Sequence, residues 1–197
     1  MDILKEKKIS KTILVTGAGG YIGSALIPSL ISKGYKVRAI DRFFFGINTL
    51  KTNKMLEIIK DDVRKIKPSF FKGVFAVIDL VGISNDPSGE YFGDITYEIN
   101  NKSRIKTAKM AKSEGVSRYL LPSSCSVYGI RNEEEVDENS KTYPISTYSK
   151  SNDQAELGVL KLSDKNFKVV VLRQATVYGS SPRMRFDLVV NNMAYNA

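Results

Sequence analysis

The sequence predicts an α/β fold, a doubly wound parallel sheet with helices on both faces. Three observations carry this. Short β-branched runs alternate with helical patterns, the first run leads directly into a glycine-rich turn, and that turn opens a helix. With 197 residues, 42% hydrophobic and 26% charged, the chain can bury one good core and has little room for a second full domain, so residues 1–197 are expected to form one unit.

Taken in order, 12–16 reads as a buried strand. Residues 21–33 then read as a helix closed by Gly34, a residue that readily adopts the left-handed conformation found after helices. Residues 35–40, 56–59 and 74–80 are the next three strands. A long helical pattern covers 91–114, with Ile95, Ile99, Ile105, Ala108 and Ala111 as its apolar positions and Gly115 at its end. Residues 117–121 make a fifth strand, 146–162 a further helix and 168–172 a sixth strand. The segment 186–197 looks helical but has no cap or closing element, as expected of a fragment or truncation. The acidic run Glu133-Glu134-Glu135, with Asp137 and Glu138, reads as a solvated loop.

Composition removes whole classes of chemistry. The chain has no histidine, which excludes Ser-His-Asp and Cys-His nucleophiles, paired-histidine zinc sites and imidazole acid/base catalysis. One cysteine, Cys125, allows no intrachain disulfide or cysteine-cluster metal site, so no metal is expected. It is expected to be a small buried residue rather than a nucleophile.

The net charge of +9 is uneven: residues 1–72 hold 15 Lys/Arg against 6 Asp/Glu, whereas 73–197 hold 15 of each. A basic N-terminal half can attract a polyphosphate or nucleic acid, but its scattered lysines lack interleaved aromatics, so nucleic acid is not the expected partner. Lys5-Glu6-Lys7-Lys8 ahead of Ile13-Leu14-Val15 has the outline of a signal peptide, but the apolar run is too short for one. No apolar stretch reaches about 18 residues, so no membrane span is expected and the expected location is the cytoplasm.

The sharpest local signal is Gly17-Ala18-Gly19-Gly20-Tyr21-Ile22-Gly23 between the first strand and helix. Gly17 permits a tight turn, Gly20 lets backbone N–H groups approach a pyrophosphate at the positive end of the helix dipole, and Gly23 allows close helix–strand packing. Asp41 ends the second strand 18 residues after Gly23, where a carboxylate accepts hydrogen bonds from an adenosine ribose and repels a 2′-phosphate. NAD is thus favoured over NADP, a preference that the neighbouring Arg42 blunts.

Together with Ser123-Ser124-Cys125-Ser126-Val127-Tyr128-Gly129 and Tyr148-Ser149-Lys150, these residues give the chain the look of an extended short-chain dehydrogenase/reductase. Within that superfamily it resembles the NAD-dependent nucleotide-sugar epimerase/dehydratase group. The resemblance implies a Rossmann-like sheet with NAD as cofactor and a nucleotide sugar as substrate. Tyr21 and Ile22 would open the helix at the pyrophosphate, Asp62 and Val63 would flank the adenine, and Leu80-Val81-Gly82 would run beneath the cofactor. Asn100 would shape the site from the long helix. Ser123 and Ala175 would line the nicotinamide end, with Gln174 beside Ala175. Ser124 would be the catalytic hydroxyl and Tyr148 the catalytic acid/base. Ser84, Asn85, Ser124 and Thr176 would touch the substrate. Singly, each has a plainer reading: Asp62 as a helix cap, Ser123 and Ser124 as loop hydroxyls, Tyr128 and Tyr178 as packing or turn residues.

The group normally carries a lysine four residues after the tyrosine, which lowers the phenol pKa and holds the nicotinamide ribose. Here that position is Asn152, on the same helix face as Tyr148 and offering hydrogen bonds without charge. A cation at ~5 Å with effective ε ~20 stabilises a phenolate by about 3 kcal/mol, roughly two pK units. Asn152→Lys is therefore expected to raise NAD affinity or turnover. Cys125-Ser126 stand where dehydratases of the group have an Asp-Glu pair, which argues against 4,6-dehydration. Relatives usually continue for about another hundred residues or more, so the substrate lobe, beginning around 175–197, is expected to be largely absent. The first reading is an NAD-dependent nucleotide-sugar epimerase or its N-terminal portion, and the alternative is a non-catalytic NAD-binding protein of the same fold. A third reading, an RNA-binding relative of that fold, rests on the basic N-terminal half alone. The resemblance also implies a homodimer pairing the 91–114 and 146–162 helices.

Overall fold

The computed structural model describes residues 11–131 and 135–197; Lys5–Lys8 of the basic start and Glu133-Glu134 of the acidic run lie outside them. Among the described residues there are six strands: β1 (Thr12–Thr16), β2 (Lys36–Asp41), β3 (Leu56–Lys60), β4 (Val74–Asp79), β5 (Arg118–Ser124) and β6 (Lys168–Gln174). All paired strands are parallel, in the order β3-β2-β1-β4-β5-β6. Strand direction of travel across the sheet reverses between β1 and β4, and that switch leaves a crevice at their carboxyl ends.

Alternation along the strands divides the core in two. Ile13 and Val15 of β1, with Val37 and Ala39 of β2, pack against Ile27 and Leu30 of helix α1 (Tyr21–Ser32). Leu14, Ile40, Val77, Tyr119 and Leu121 face the other way, onto Ala108, Ala111, Ala155 and Val159. Those residues belong to α4 (Arg104–Ser113) and α5 (Thr147–Leu160). Because β1 is buried on both faces, it reads as an unbroken apolar run rather than an alternating one.

The six strands and the helices after β1 and β5 agree with the sequence reading apart from a few residues at their ends. Two expectations need correction. The 91–114 helix is divided: α2 (Asp86–Tyr91) ends at Phe92, α3 (Gly93–Tyr97) follows, and a π-type widening over Glu98–Ser103 leads into α4. The extra residue in the widened turn rotates the buried face. Ile95 is 46% exposed, whereas Thr96, Asn100, Ser103, Arg104 and Thr107 are buried beside Ala108 and Ala111. The last helix, α6, spans only Val189–Asn196.

Candidate active site

The ends of β1, β4, β5 and β6 converge on a cleft of about 620 Å³, lined among others by Gly17, Gly20, Gly23, Gly82, Ser124, Tyr148 and Thr176. Gly17 and Gly23 have the turn and close-packing geometry that the motif requires. Gly17 has φ +62°, and a Cβ there would lie 2.7 Å from Leu80 C and Val81 N, backbone atoms leaving β4. At Gly23 a Cβ would lie 2.5 Å from the Gly17 carbonyl oxygen, so only glycine lets α1 start this close to the turn. The Gly20 N–H donates to the Gly17 carbonyl at 3.1 Å, and no side chain caps the helix. Tyr21 and Ile22 also line the cleft, leaving the positive end of α1 facing it. A tight turn facing an uncapped helix N-terminus fits a dinucleotide pyrophosphate.

Asp41, at the end of β2, does not line this cleft and braces the turn beside it. Its carboxylate accepts from the Gly19 N–H at 3.1 Å and the Phe43 N–H at 2.6 Å, which steadies Phe43 at φ 52° with its ring over Gly19. Asp62 caps the short turn Val63–Lys65 and accepts from the Arg64 N–H and guanidinium, with Arg42 3.4 Å away. The Arg64 hydrogen bond, opposed by partial burial, lowers the Asp62 carboxyl pKa to about 2. Val63 is a buried core residue.

At the other end, Ser124 ends β5 and its Oγ accepts from the Ser126 N–H at 3.2 Å, capping the turn Cys125–Tyr128. That turn brings Cys125 to the surface of the cleft. Its expected burial is thus corrected: the residue after a strand end joins an exposed turn, not the sheet. Tyr128 is buried, its hydroxyl donating to the Asp137 carbonyl at 2.8 Å, while Tyr178 is 65% exposed. Tyr148 lies in the first turn of α5. Ser146 caps that helix, and Glu90 of α2 accepts from the Thr147 N–H at 2.5 Å, so α2 pins the tyrosine's end of the helix. Gly89 faces Tyr148, and a Cβ there would meet Tyr148 Cβ at 3.4 Å, an ordinary van der Waals contact. Asn85 caps α2, and Ser84 Oγ accepts from Arg185 at 2.7 Å. Ser84, Asn85, Ser123, Leu80 and Ala175 all reach the cleft.

Residues 13–197 match the model of the NAD dependent epimerase/dehydratase family. The chain belongs to this family. UDP-arabinose 4-epimerase 1 from Arabidopsis thaliana is 26% identical over 192 residues, covering 88% of this chain and 44% of its own. UDP-glucuronic acid decarboxylase 1 from Danio rerio is 27% identical over 204 residues, with 97% and 47% covered. The structure of UDP-glucuronic acid 4-epimerase from Bacillus cereus in complex with NAD has a TM-score of 0.82 at 25% identity, over 92% of this chain and 60% of that one. The chain spans about half the length of the curated relatives it matches.

Within this epimerase/dehydratase fold, several polar groups invisible to sequence patterns support the cleft. Asp79, fully buried at the end of β4, accepts from the hydroxyls of Thr16 and Tyr119. Burial first, and then the Asp79 charge, push the Tyr119 phenol well above its usual pKa. Glu156, 2% exposed, accepts from Ser123 and is paired with Arg173 at 2.9 Å, tying β5 and β6 to α5 next to Ser124. Asn100 does not reach the cleft. It is fully buried, exchanging hydrogen bonds of 2.9 and 2.8 Å with the Ile83 N–H and carbonyl, and so shapes the loop after β4 from below.

Asn152 is 1% exposed, its Nδ2 donating to the Tyr148 carbonyl at 2.9 Å and its Oδ1 accepting from Arg104 at 2.6 Å. A lysine at 152 would therefore meet a buried guanidinium, which changes the expected benefit of that substitution. Among the described residues no cluster of three or more Cys, Asp or Glu side chains is placed to hold a metal ion, and no helix is long and apolar enough to cross a membrane.

Proposed function

We propose that this chain forms the NAD-binding part of a nucleotide-sugar epimerase, with 175–197 beginning the substrate lobe. The observation that carries the reading is one cleft holding both the glycine cradle and the Ser124–Tyr148 pair. NAD supplies the hydride acceptor and donor. Gly17, Gly20 and Gly23 admit its pyrophosphate to the end of α1, and Asp41 takes the adenosine ribose, selecting NAD over NADP. Asp62 and Arg42 lie on the adenine side. Tyr148 removes the proton of a sugar hydroxyl, and Ser124 donates a hydrogen bond to the same oxygen. The names of the relatives point to a UDP sugar, bound between Ser84, Asn85 and Thr176. Exposed Ile95, Leu157 and Leu160 on α3 and α5 support pairing of two chains along these helices.

Asn152 favours a second reading, a non-catalytic NAD-binding protein. Calorimetric titration with NAD⁺, using NADP⁺ as control, tests what the two share. Micromolar, NAD⁺-selective binding is expected, and a folded chain that binds neither overturns both. Reduction of bound NAD⁺ by UDP sugars, lost in Tyr148→Phe at unchanged NAD⁺ affinity, supports the epimerase. Hydride transfer that survives Tyr148→Phe overturns the role given to Tyr148.

A further inference from the structure

Beneath the floor of the cleft lies a buried cation. Arg104, at the start of α4, is 5% exposed. Its Nε and Nη2 donate to the Val81 carbonyl at 3.0 and 2.5 Å, and its Nη1 donates to Asn152 Oδ1 at 2.6 Å. Both acceptors are neutral. Among the described residues no carboxylate is ion-paired with this guanidinium. The buried carboxylate of the same layer, Asp79, is engaged by Thr16 and Tyr119, and the Tyr119 hydroxyl lies 3.2 Å from the Arg104 carbonyl. A guanidinium stays protonated at every working pH, so the charge is permanent.

The charge is separated from the cleft by one layer of backbone. Gly82 lines the cleft, and a Cβ built on it would lie 2.9 Å from Arg104 Nη2. From there the guanidinium reaches Asn152, one turn along α5 from Tyr148. We propose that Arg104 is the fixed cation of this site, a positioning residue that supplies from α4 the charge that Asn152 lacks on α5 and favours the reduced form of the bound cofactor.

The inference rests on the reading that the cleft binds NAD. The nicotinamide ring is positively charged when oxidised and neutral when reduced, so a fixed positive charge under the cleft penalises only the oxidised form. A unit charge within about 10 Å at effective ε ~20 changes such a ratio by at least about tenfold. A role confined to packing the floor would weaken both forms alike.

Dissociation constants for NAD⁺ and NADH, by calorimetry and NADH fluorescence on the full chain, test the proposal. Arg104→Gln keeps an amide donor for Val81 but removes the charge. It is expected to lower the ratio Kd(NAD⁺)/Kd(NADH) about tenfold. Adding Asn152→Lys to that variant returns a cation from α5 and should bring the ratio back towards its original value. Asn152→Asp keeps Arg104 and sets a carboxylate against it. The ratio should fall here too, an outcome independent of whether Arg104→Gln folds. An unchanged ratio in a folded Arg104→Gln or Asn152→Asp variant overturns the proposal while NAD binding stands. A chain that binds neither form overturns both.

Discussion

Gly23→Ala adds a single methyl group at the tightest point of the cradle. Its Cβ would lie 2.5 Å from the Gly17 carbonyl oxygen, 2.6 Å from the Ala18 carbonyl oxygen and 2.8 Å from Ala18 C. All three are backbone atoms, so no side-chain rotation relieves the contact. Restoring an ordinary carbon–oxygen approach of ~3.3 Å requires the start of α1 to retreat by about 0.8 Å. Overpacking of this kind costs about 1–3 kcal/mol, offset by about 1 kcal/mol because alanine is the better helix former. The net loss of about 0–2 kcal/mol corresponds to a melting temperature lower by at most about 8 °C for a chain of this size. Binding should suffer more than folding, because the N–H groups of the first turn retreat from the Gly17–Gly20 turn with which they form the anion site. At least about a tenfold loss of NAD⁺ affinity is expected. Thermal melts and calorimetric titration of one preparation read both effects. Lost stability at full affinity would refute the placement of the pyrophosphate on this turn. Unchanged stability together with unchanged affinity would refute the close approach itself.

Two further substitutions probe the buried polar supports. Tyr119→Phe leaves Asp79 with Thr16 as its remaining hydroxyl donor and should cost about 1–3 kcal/mol in urea melts, whereas a neutral result would show that the hydroxyl carries no net stability. Asp62→Asn tests pH linkage. The folded Asp62 pKa of about 2 lies below its ordinary 3.8, so its contribution is complete above pH ~4 and disappears as pH falls from 3.8 through about 2. The shift is worth at most about 2.5 kcal/mol, less whatever solvent screens at a side chain 16% exposed. The stability gap between parent and variant should therefore narrow between pH 5 and pH 2. A constant gap would show that Arg64 does not depend on the ionised carboxyl.

Much of the frame was legible because its causes are local. A turn that needs glycine at 17 and 23 announces itself in the motif, and β-branched runs mark the strands whether or not their partners are known. Tyr148 and Ser124 were legible through their motifs, and the structure brings both to one cleft with the cradle. Helical periodicity failed over 91–114 for a definite reason. The pattern assumes that apolar residues face inward, but here Asn100, Ser103, Arg104 and Thr107 are buried because each has a hydrogen-bond partner, and the π-type turn changes the phase. Cys125 was misplaced for a similar reason, since composition says that cysteines are buried and the turn after β5 says otherwise.

By itself, then, the sequence determined the six strands, the glycine turn, the acid at the end of β2 and the absence of histidine chemistry, because each depends on residues near one another in the chain. The tertiary structure alone decided which polar groups could be buried. Thr16 meets Asp79 across 63 positions and Arg104 meets Asn152 across 48. Desolvating such groups is tolerable only when the partner is in place, and no local pattern records a partner that folding brings from so far away.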